Sequence, residues 1–294
     1  MKFITYIENG RHGVGVIESE TEFTDLTRLQ LADDMIGLIE KFEGLGVAIE
    51  NARQSGSAKR LLKDVRIVAP IPVPHRNIFC VGKNYREHAV EFGKSGFDGG
   101  AIGGEEVPEY PIIFSKPPSC VIGPHEDIQG DLDPYSSVDY EGELAVIIGR
   151  EGLVHADDDP MGFVFGYTIF NDVTSRELQK RHKQWLIGKG IDTFGPLGPT
   201  IVTREEMLPF SSARLRTWVN GELRQESVLS NLIFDVETLI RTIGRSTSLR
   251  AGDIIATGTP AGVGIGFKPP KYLTRGDKVK ISVDGIGTLT NSVA

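Results

Sequence analysis

Cysteine is nearly absent: Cys80 and Cys120 are the whole complement of a 294-residue chain. Two cysteines make no disulfide framework. Positive charge is also scarce, with 32 Lys and Arg against 40 Asp and Glu and a formal net charge of −8. An acidic chain without a basic run argues against nucleic acid as a partner. No apolar run approaches the ~18 residues of a membrane span. The start, Met1 to Gly10, reads as a short strand and a turn and lacks the apolar core of a signal peptide. The expectation is a cytoplasmic protein that neither crosses nor binds a membrane. His12, His75, His125, His155 and His182 show no metal-ligand spacing, which speaks against zinc. No internal repeat is visible, and no strand–helix alternation runs through the chain, so a doubly wound sheet is not expected.

What is present reads as a small module followed by a strand-rich body. Lys2 to Ile7 and Gly13 to Ser19 form a candidate hairpin around Asn9-Gly10. Leu29 to Phe42 and Ile49 to Leu62 carry helical spacing. Val65 to His75 is extended and punctuated by proline, as a linker would be. A boundary near residue 70 follows, giving a small N-terminal α/β module over 1–70 and a strand-rich domain over 71–294. Strands are expected at Asn77–Val81, Ile112–Ser115, Glu143–Ile148, Phe163–Asn171, Leu215–Val219, Asp253–Thr257 and Lys278–Val283. Helices are fewer: Tyr85–Phe92, Thr174–Arg181 and Asp235–Ile243. The fold class is therefore α+β, mostly β. The glycine-rich stretch Gly93 to Gly104 follows a helix directly, where a lid over a site could sit.

The acids carry the chemistry. Glu141 and Glu143 in Asp139-Tyr-Glu-Gly-Glu-Leu-Ala-Val-Ile-Ile-Gly149 share one face of a strand. Beyond them Leu144 to Ile148 is apolar at both parities, as in a strand buried on both sides. Two carboxylates then enter an interior together, which is expensive without a compensating cation. An all-oxygen set suits Mg2+ or Mn2+. The alternative is a strand end whose acids face water. Asp172 follows an apolar strand and precedes a helix, so it reads either as an N-cap or as a further strand-end carboxylate. Asp139 shares the parity of the glutamates and reads as a supporting or turn residue.

Other candidates also carry two readings. Lys189, between two glycines and apolar flanks, is either an exposed turn lysine or an ammonium that stabilises a carboxylate or oxyanion. His88 and Glu91 lie at i and i+3, close enough for the acid to polarise the imidazole, yet Glu87 and Glu91 could equally form a solvated face. Ile254 to Gly264 runs from a strand into a glycine-rich loop whose amides, with Thr259, could cradle a carboxylate. No helical pattern follows that loop, so it is no dinucleotide fingerprint. Cys80 reads as core packing.

Six segments, in order, give the chain a family likeness. They are Cys80-Val-Gly-Lys-Asn-Tyr-Arg-Glu-His88, Pro111-Ile-Ile-Phe-Ser-Lys116, Glu141-Gly-Glu-Leu-Ala-Val-Ile-Ile-Gly149, Asn171-Asp-Val-Thr-Ser-Arg-Glu-Leu-Gln179, Gly188-Lys-Gly-Ile-Asp-Thr-Phe194 and Thr257-Gly-Thr-Pro-Ala-Gly-Val-Gly264. Over residues 70–294 the chain resembles the fumarylacetoacetate hydrolase family, and most closely its acylpyruvate hydrolase and oxaloacetate decarboxylase branch. The resemblance implies a β-roll or β-sandwich catalytic domain, usually in a homodimer. It implies Glu141, Glu143 and Asp172 as ligands of Mg2+ or Mn2+, and Lys189 as the active-site lysine. Gln179 and Thr259 become substrate contacts, and His88 and Glu91 a dyad on a lid helix. Gly190 departs from the serine that often follows the lysine.

The substrate the resemblance implies is a small 2-oxo acid, an acylpyruvate or diketo acid, chelated through its 2-oxo group. The expected reaction is hydrolysis of a C–C bond by way of a metal-stabilised enolate, with Glu91 polarising His88 and His88 activating water. Oxaloacetate decarboxylation shares the same inner residues and is the leading alternative. Isomerisation or dehydration of a related 2-oxo acid is another, and a dicarboxylate-binding protein without turnover is a third.

Overall fold

The computed structural model describes residues 1–94 and 107–294. The hairpin at the start forms as expected: β1 (Lys2–Glu8) pairs antiparallel with β2 (Arg11–Ile17) across a turn with Asn9 and Gly10 at positive φ. β3 (Glu22–Asp25) follows. The two expected helices are instead one, α1 (Met35–Ser55). Asp34 caps its start by accepting from Gly37 N at 2.7 Å, and Gly56 ends it in the left-handed conformation. Gly44 and Gly46, which both face open space, break the hydrophobic pattern but not the helix. Residues beyond it form β4 (Lys59–Leu61) rather than helix. The stretch expected as a linker starts with β5 (Arg66–Val68), which pairs with β1, and continues with Ala69 and Ile71 buried.

The body opens with β6 (Ile78–Gly82), α2 (Arg86–Lys94), β7 (Ile112–Lys116), and two short strands, β8 (Val121–Ile122) and β9 (Val138–Asp139). Then come β10 (Gly142–Ile148), β11 (Val164–Asn171), β12 (Thr174–Ser175), α3 (Arg176–His182), α4 (Leu186–Lys189) and β13 (Gly195–Thr203). The chain closes with β14 (Arg214–Val219), β15 (Glu222–Val228), α5 (Val236–Gly244), β16 (Ile254–Ala256), β17 (Lys278–Val283) and β18 (Gly287–Ser292). Sequence reading passed over β13 because its Gly-Pro-Leu-Gly-Pro start looks like a turn. The fold is sheet-dominated with few helices.

One large mixed sheet runs β4-β3-β2-β1-β13-β11-β10-β16-β6-β7, and a four-stranded sheet runs β15-β14-β17-β18. β1 pairs with β13, so the N-terminal strands extend the sheet of the body. Every residue of β10 and β11 is buried. The reason is that β10 faces two cores. Leu144, Val146 and Ile148 pack with Leu215, Val279 and Ile281 of the smaller sheet. Ala145 and Ile147 pack with Phe3, Leu38 and Phe165, beneath α1. The apolar run at both parities thus reflects cover on both faces. Among the described residues no helix is long and apolar enough to cross a membrane.

Candidate active site

Antiparallel pairing of β10 with β11 sets Gly142 opposite Asn171 and Glu143 opposite Phe170. Asp172 N then donates to Glu141 O at 2.9 Å, which brings the end of β11 beside the start of β10. Carboxylate oxygens of Glu141, Glu143 and Asp172 come within 4.8 Å of one another, and all three side chains are buried. The glycine between the glutamates is a steric requirement: a Cβ on Gly142 would lie 2.2 Å from Thr217 Oγ1. Asp172 is not an N-cap. Ser175 does that work for α3 by accepting from Leu178 N.

Three buried cations surround the acids. Lys189 Nζ, at the end of α4, donates to Asp172 Oδ2 at 2.7 Å, Thr174 Oγ1 at 2.9 Å and Glu141 Oε2 at 3.0 Å. Lys116 Nζ, at the end of β7, donates to Asp172 Oδ1 at 2.8 Å and Val173 O at 2.9 Å. Arg176 spans Asp139 (2.8 Å), Glu141 (2.7 Å) and Gln179 Oε1 (3.1 Å). Lys189 is only 2% exposed, so it is no surface turn lysine. Asp139 supports Arg176 and accepts from Gly264 N and Ile265 N, outside the three-acid cluster.

The electrostatics separate the two glutamates. Burial pushes Glu141 upward, but Lys189 and Arg176 outweigh it and hold the carboxyl at about 2. Burial, then Asp172 and Glu141, push Glu143 well above the carboxylate range. Its carboxylate accepts from Gly258 N at 2.9 Å, and among the described residues no Lys, Arg or His is ion-paired with it. A divalent cation between these oxygens would supply the missing countercharge, and an all-carboxylate donor set fits a hard ion. Burial pulls Lys189 down, yet Asp172 and Glu141 raise it overall, so it stays an ammonium.

Helix α2 brings His88 over this cluster. His88 Nδ1 lies 3.4 Å from Glu91 Oε2, and Glu91 accepts from Gly262 N at 3.1 Å. The pair is therefore held against the glycine-rich loop and is no solvated face. Of the segment expected as a lid, residues 95–106 lie outside the described residues. His88, Glu141, Gln179, Lys189 and Thr259 line one cleft, with aromatic walls from Phe92, Phe114 and Trp185. Thr259 Oγ1 donates to Gly142 O and accepts from Gln225 Nε2, which ties the loop to β10.

Sequence reading left Lys116, Arg176 and Gln225 without roles. Lys116 ends an apolar strand and Arg176 lies three residues before Gln179, signals that were available. Gln225 had none, since its partners are far along the chain. Cys80 is buried core, its thiol pushed well up by burial and by Asp172.

The chain is similar to several known proteins over its full length. The family model "Fumarylacetoacetate (FAA) hydrolase C-terminal" matches residues 77–294. Oxaloacetate tautomerase YisK of Bacillus subtilis (strain 168) is 42% identical over 309 residues, covering 100% of both chains. A fumarylacetoacetate hydrolase from psychrophilic Exiguobacterium antarcticum superposes with TM-score 0.82 at 38% identity, over 100% of this chain and 99% of that one. Maleylpyruvate hydrolase from Sphingobium sp. SYK-6, solved with manganese (II) and pyruvate, superposes with TM-score 0.80 at 32% identity, over 100% and 99%. This chain belongs to the fumarylacetoacetate hydrolase family.

Proposed function

We propose that the chain catalyses proton transfer at the carbon beside the 2-oxo group of a small, oxaloacetate-like 2-oxo acid, with Mg2+ or Mn2+ at Glu141, Glu143 and Asp172. The observation that carries this reading is the dyad: His88, backed by Glu91, lines the same cleft as Glu141, Gln179 and Lys189. The full-length relative named an oxaloacetate tautomerase supports it.

A bound divalent cation would polarise the 2-oxo carbonyl as a Lewis acid. The protein's own groups do the rest. With Nδ1 turned to Glu91, His88 exchanges the substrate proton through Nε2. The Lys189 ammonium, fixed by Glu141, Asp172 and Thr174, stabilises the negative oxygen of the enolate. Gln179 and the Thr259 loop orient the substrate. The aromatic walls restrict water at the carbanionic carbon.

C–C bond hydrolysis of an acylpyruvate is the second reading, supported by the maleylpyruvate hydrolase neighbour. There His88 would activate water instead. Decarboxylation of oxaloacetate needs neither water nor a changed site. We carry a homodimer and a cytoplasmic location as parts of the same proposal, with sedimentation and fractionation as their tests. The deciding experiment is a panel with Mg2+ and with Mn2+. It follows keto–enol exchange of oxaloacetate, its decarboxylation, and acylpyruvate cleavage. Accelerated exchange supports the reading. Cleavage of acylpyruvates without acceleration of oxaloacetate exchange overturns it in favour of the hydrolase.

A further inference from the structure

Three aromatic rings wall the cleft beside its charged floor. Phe114 stands next to Lys189, whose Nζ lies 5.0 Å from the ring centre. Phe92 stands next to Arg176, whose Cζ lies 5.9 Å from its ring. Trp185 joins the two, meeting Phe114 at 5.2 Å and Phe92 at 6.4 Å, edge to face in both cases. Phe92 comes from α2, Phe114 from β7 and Trp185 from the residue before α4. The indole is thus one ring further from the cations than either phenyl group.

Trp185 is set in place by its backbone and by what lies beneath it. Its carbonyl accepts from Gly188 N and Lys189 N, both at 3.0 Å, so it begins the helical turn that ends in Lys189. That turn lies flush on α3, since a Cβ on Gly188 would come 2.4 Å from Gln179 N. The indole itself rests on Gly82, where a Cβ would come 2.5 Å from the ring. The wall therefore keeps a fixed position relative to Lys189 and Gln179, the groups proposed above to hold the substrate. A large ring seated this way cannot shift without moving Phe92 or Phe114. The cleft has about 300 Å3 of empty space, the lower end of the ~300–1,000 Å3 usual for small-molecule sites.

We infer that Trp185 sets the length of substrate the site accepts, ending the chain of a 2-oxo acid a few carbons beyond the oxo group and so selecting short acids over long ones. This rests on the 2-oxo acid reading above, but not on which reaction follows. The head of the acid lies on the charged floor with Lys189 and Gln179. The rest of its chain then runs along the aromatic wall toward Trp185. A short remainder packs against the rings. A longer one must displace the indole, and a packed wall resists that as a core resists an oversized side chain.

The test reads binding alone, on full-length enzyme loaded with Mn2+. Oxalate is the probe with a head and no chain, and 2-oxobutanoate, 2-oxohexanoate and 2-oxooctanoate are a series of rising length. Calorimetric Kd on the wild type should rise at least roughly 10-fold from 2-oxobutanoate to 2-oxooctanoate, the effect of methylenes that a fixed pocket has no room for. In Trp185→Ala that ratio should fall to about threefold or less, with Kd for oxalate within about threefold of wild type. Trp185→Phe keeps an aromatic ring on Gly82 and should fall between the two, which preserves the test if the alanine variant does not fold. Equal affinity of the wild type for all three acids would overturn the assignment, and so would folded variants that keep the wild-type length dependence or lose oxalate in step with the chain. A wild type that binds oxalate and 2-oxobutanoate equally in both variants' length range leaves the 2-oxo acid reading standing and removes only Trp185. A wild type that binds neither oxalate nor any 2-oxo acid would overturn both.

Discussion

Lys116 donates to Asp172 Oδ1 at 2.8 Å, and neither side chain has any exposed surface. A charge buried so deeply depends on its partner. Lys116→Met should therefore cost about 3–5 kcal/mol of stability, the usual result of leaving one member of a buried pair alone. Denaturant unfolding of the metal-free protein measures it. Added Mn2+ should restore part of the loss, since it binds the folded state and supplies countercharge to Asp172. A loss under about 1 kcal/mol would mean that Lys189 alone neutralises Asp172.

The opposite shifts of Glu141 and Glu143 give a pH signature. Glu143, raised well above its ordinary value, is neutral in the metal-free fold at low pH. The stability this confers is lost as pH rises through the raised value, because the group must then ionise beside Asp172 and Glu141. Glu141, held at about 2, contributes stability above the ordinary carboxyl range, and that is lost only as pH falls toward 2. Metal-free stability should thus decline as pH rises above the ordinary carboxyl range, and saturating Mn2+ should remove that decline. At mildly acidic pH metal uptake should release a proton from Glu143. Titration calorimetry in two buffers of different ionisation enthalpy detects it; identical heats would remove Glu143 from the ligand set.

Activity should need the divalent ion outright. Chelation should abolish turnover, and Mg2+ or Mn2+ should restore it. Glu143→Ala should fold and remain inactive, with weakened Mn2+ binding by calorimetry. Full turnover after rigorous metal stripping would remove the metal from the mechanism.

Gly266 fixes the dyad from outside. A Cβ there would lie 1.9 Å from Glu91 Oε1, so Gly266→Ala must push the carboxylate off its place. Displacements near 1 Å can cost on the order of 100-fold in rate. We expect kcat to fall by at least 10-fold on that basis, with oxalate affinity unchanged. An unaltered kcat would show that Glu91 does not set the state of His88.

Much of this site was legible because strands alternate. Glu141 and Glu143 share a face by parity alone, and the apolar run after them signals cover on both sides. The proximity of His88 to Glu91 within α2 also follows from i,i+3 spacing. What the residues left open was whether Lys189, Asp172 and the dyad were buried or solvated, because burial depends on partners far along the chain: Gly262 beneath Glu91, Thr174 beside Lys189. The division of α1 into two helices failed for a different reason. Gly44 and Gly46 lower helix propensity, but the cap at Asp34 and the packing of Leu38 and Ile49 outweigh that local cost. β13 was hidden by prolines that a strand in the middle of a sheet rarely holds.

His88 separates the competing reactions. If it moves the substrate proton, His88→Ala should lose oxaloacetate exchange by roughly 10²–10⁴-fold, the range of a positioned acid–base group. Oxalate binding should survive, because the metal and Lys189 act on the other end of the ligand. If His88 instead activates water, acylpyruvate cleavage should carry the loss and oxaloacetate exchange should fall far less, since exchange requires no attacking water. A matched fall in both reactions, with oxalate affinity intact, follows if enolisation is the common slow step and one histidine serves it. Glu91→Gln then supplies the discriminating control: it keeps an acceptor for Gly262 N but removes the carboxylate charge that lies 3.4 Å from His88 Nδ1. Under the proton-transfer reading its kcat for oxaloacetate exchange should fall while oxalate affinity holds, because a neutral amide stabilises the positive charge that His88 gains during proton transfer less well than a carboxylate does. An unchanged kcat would assign Glu91 to placement of α2 alone.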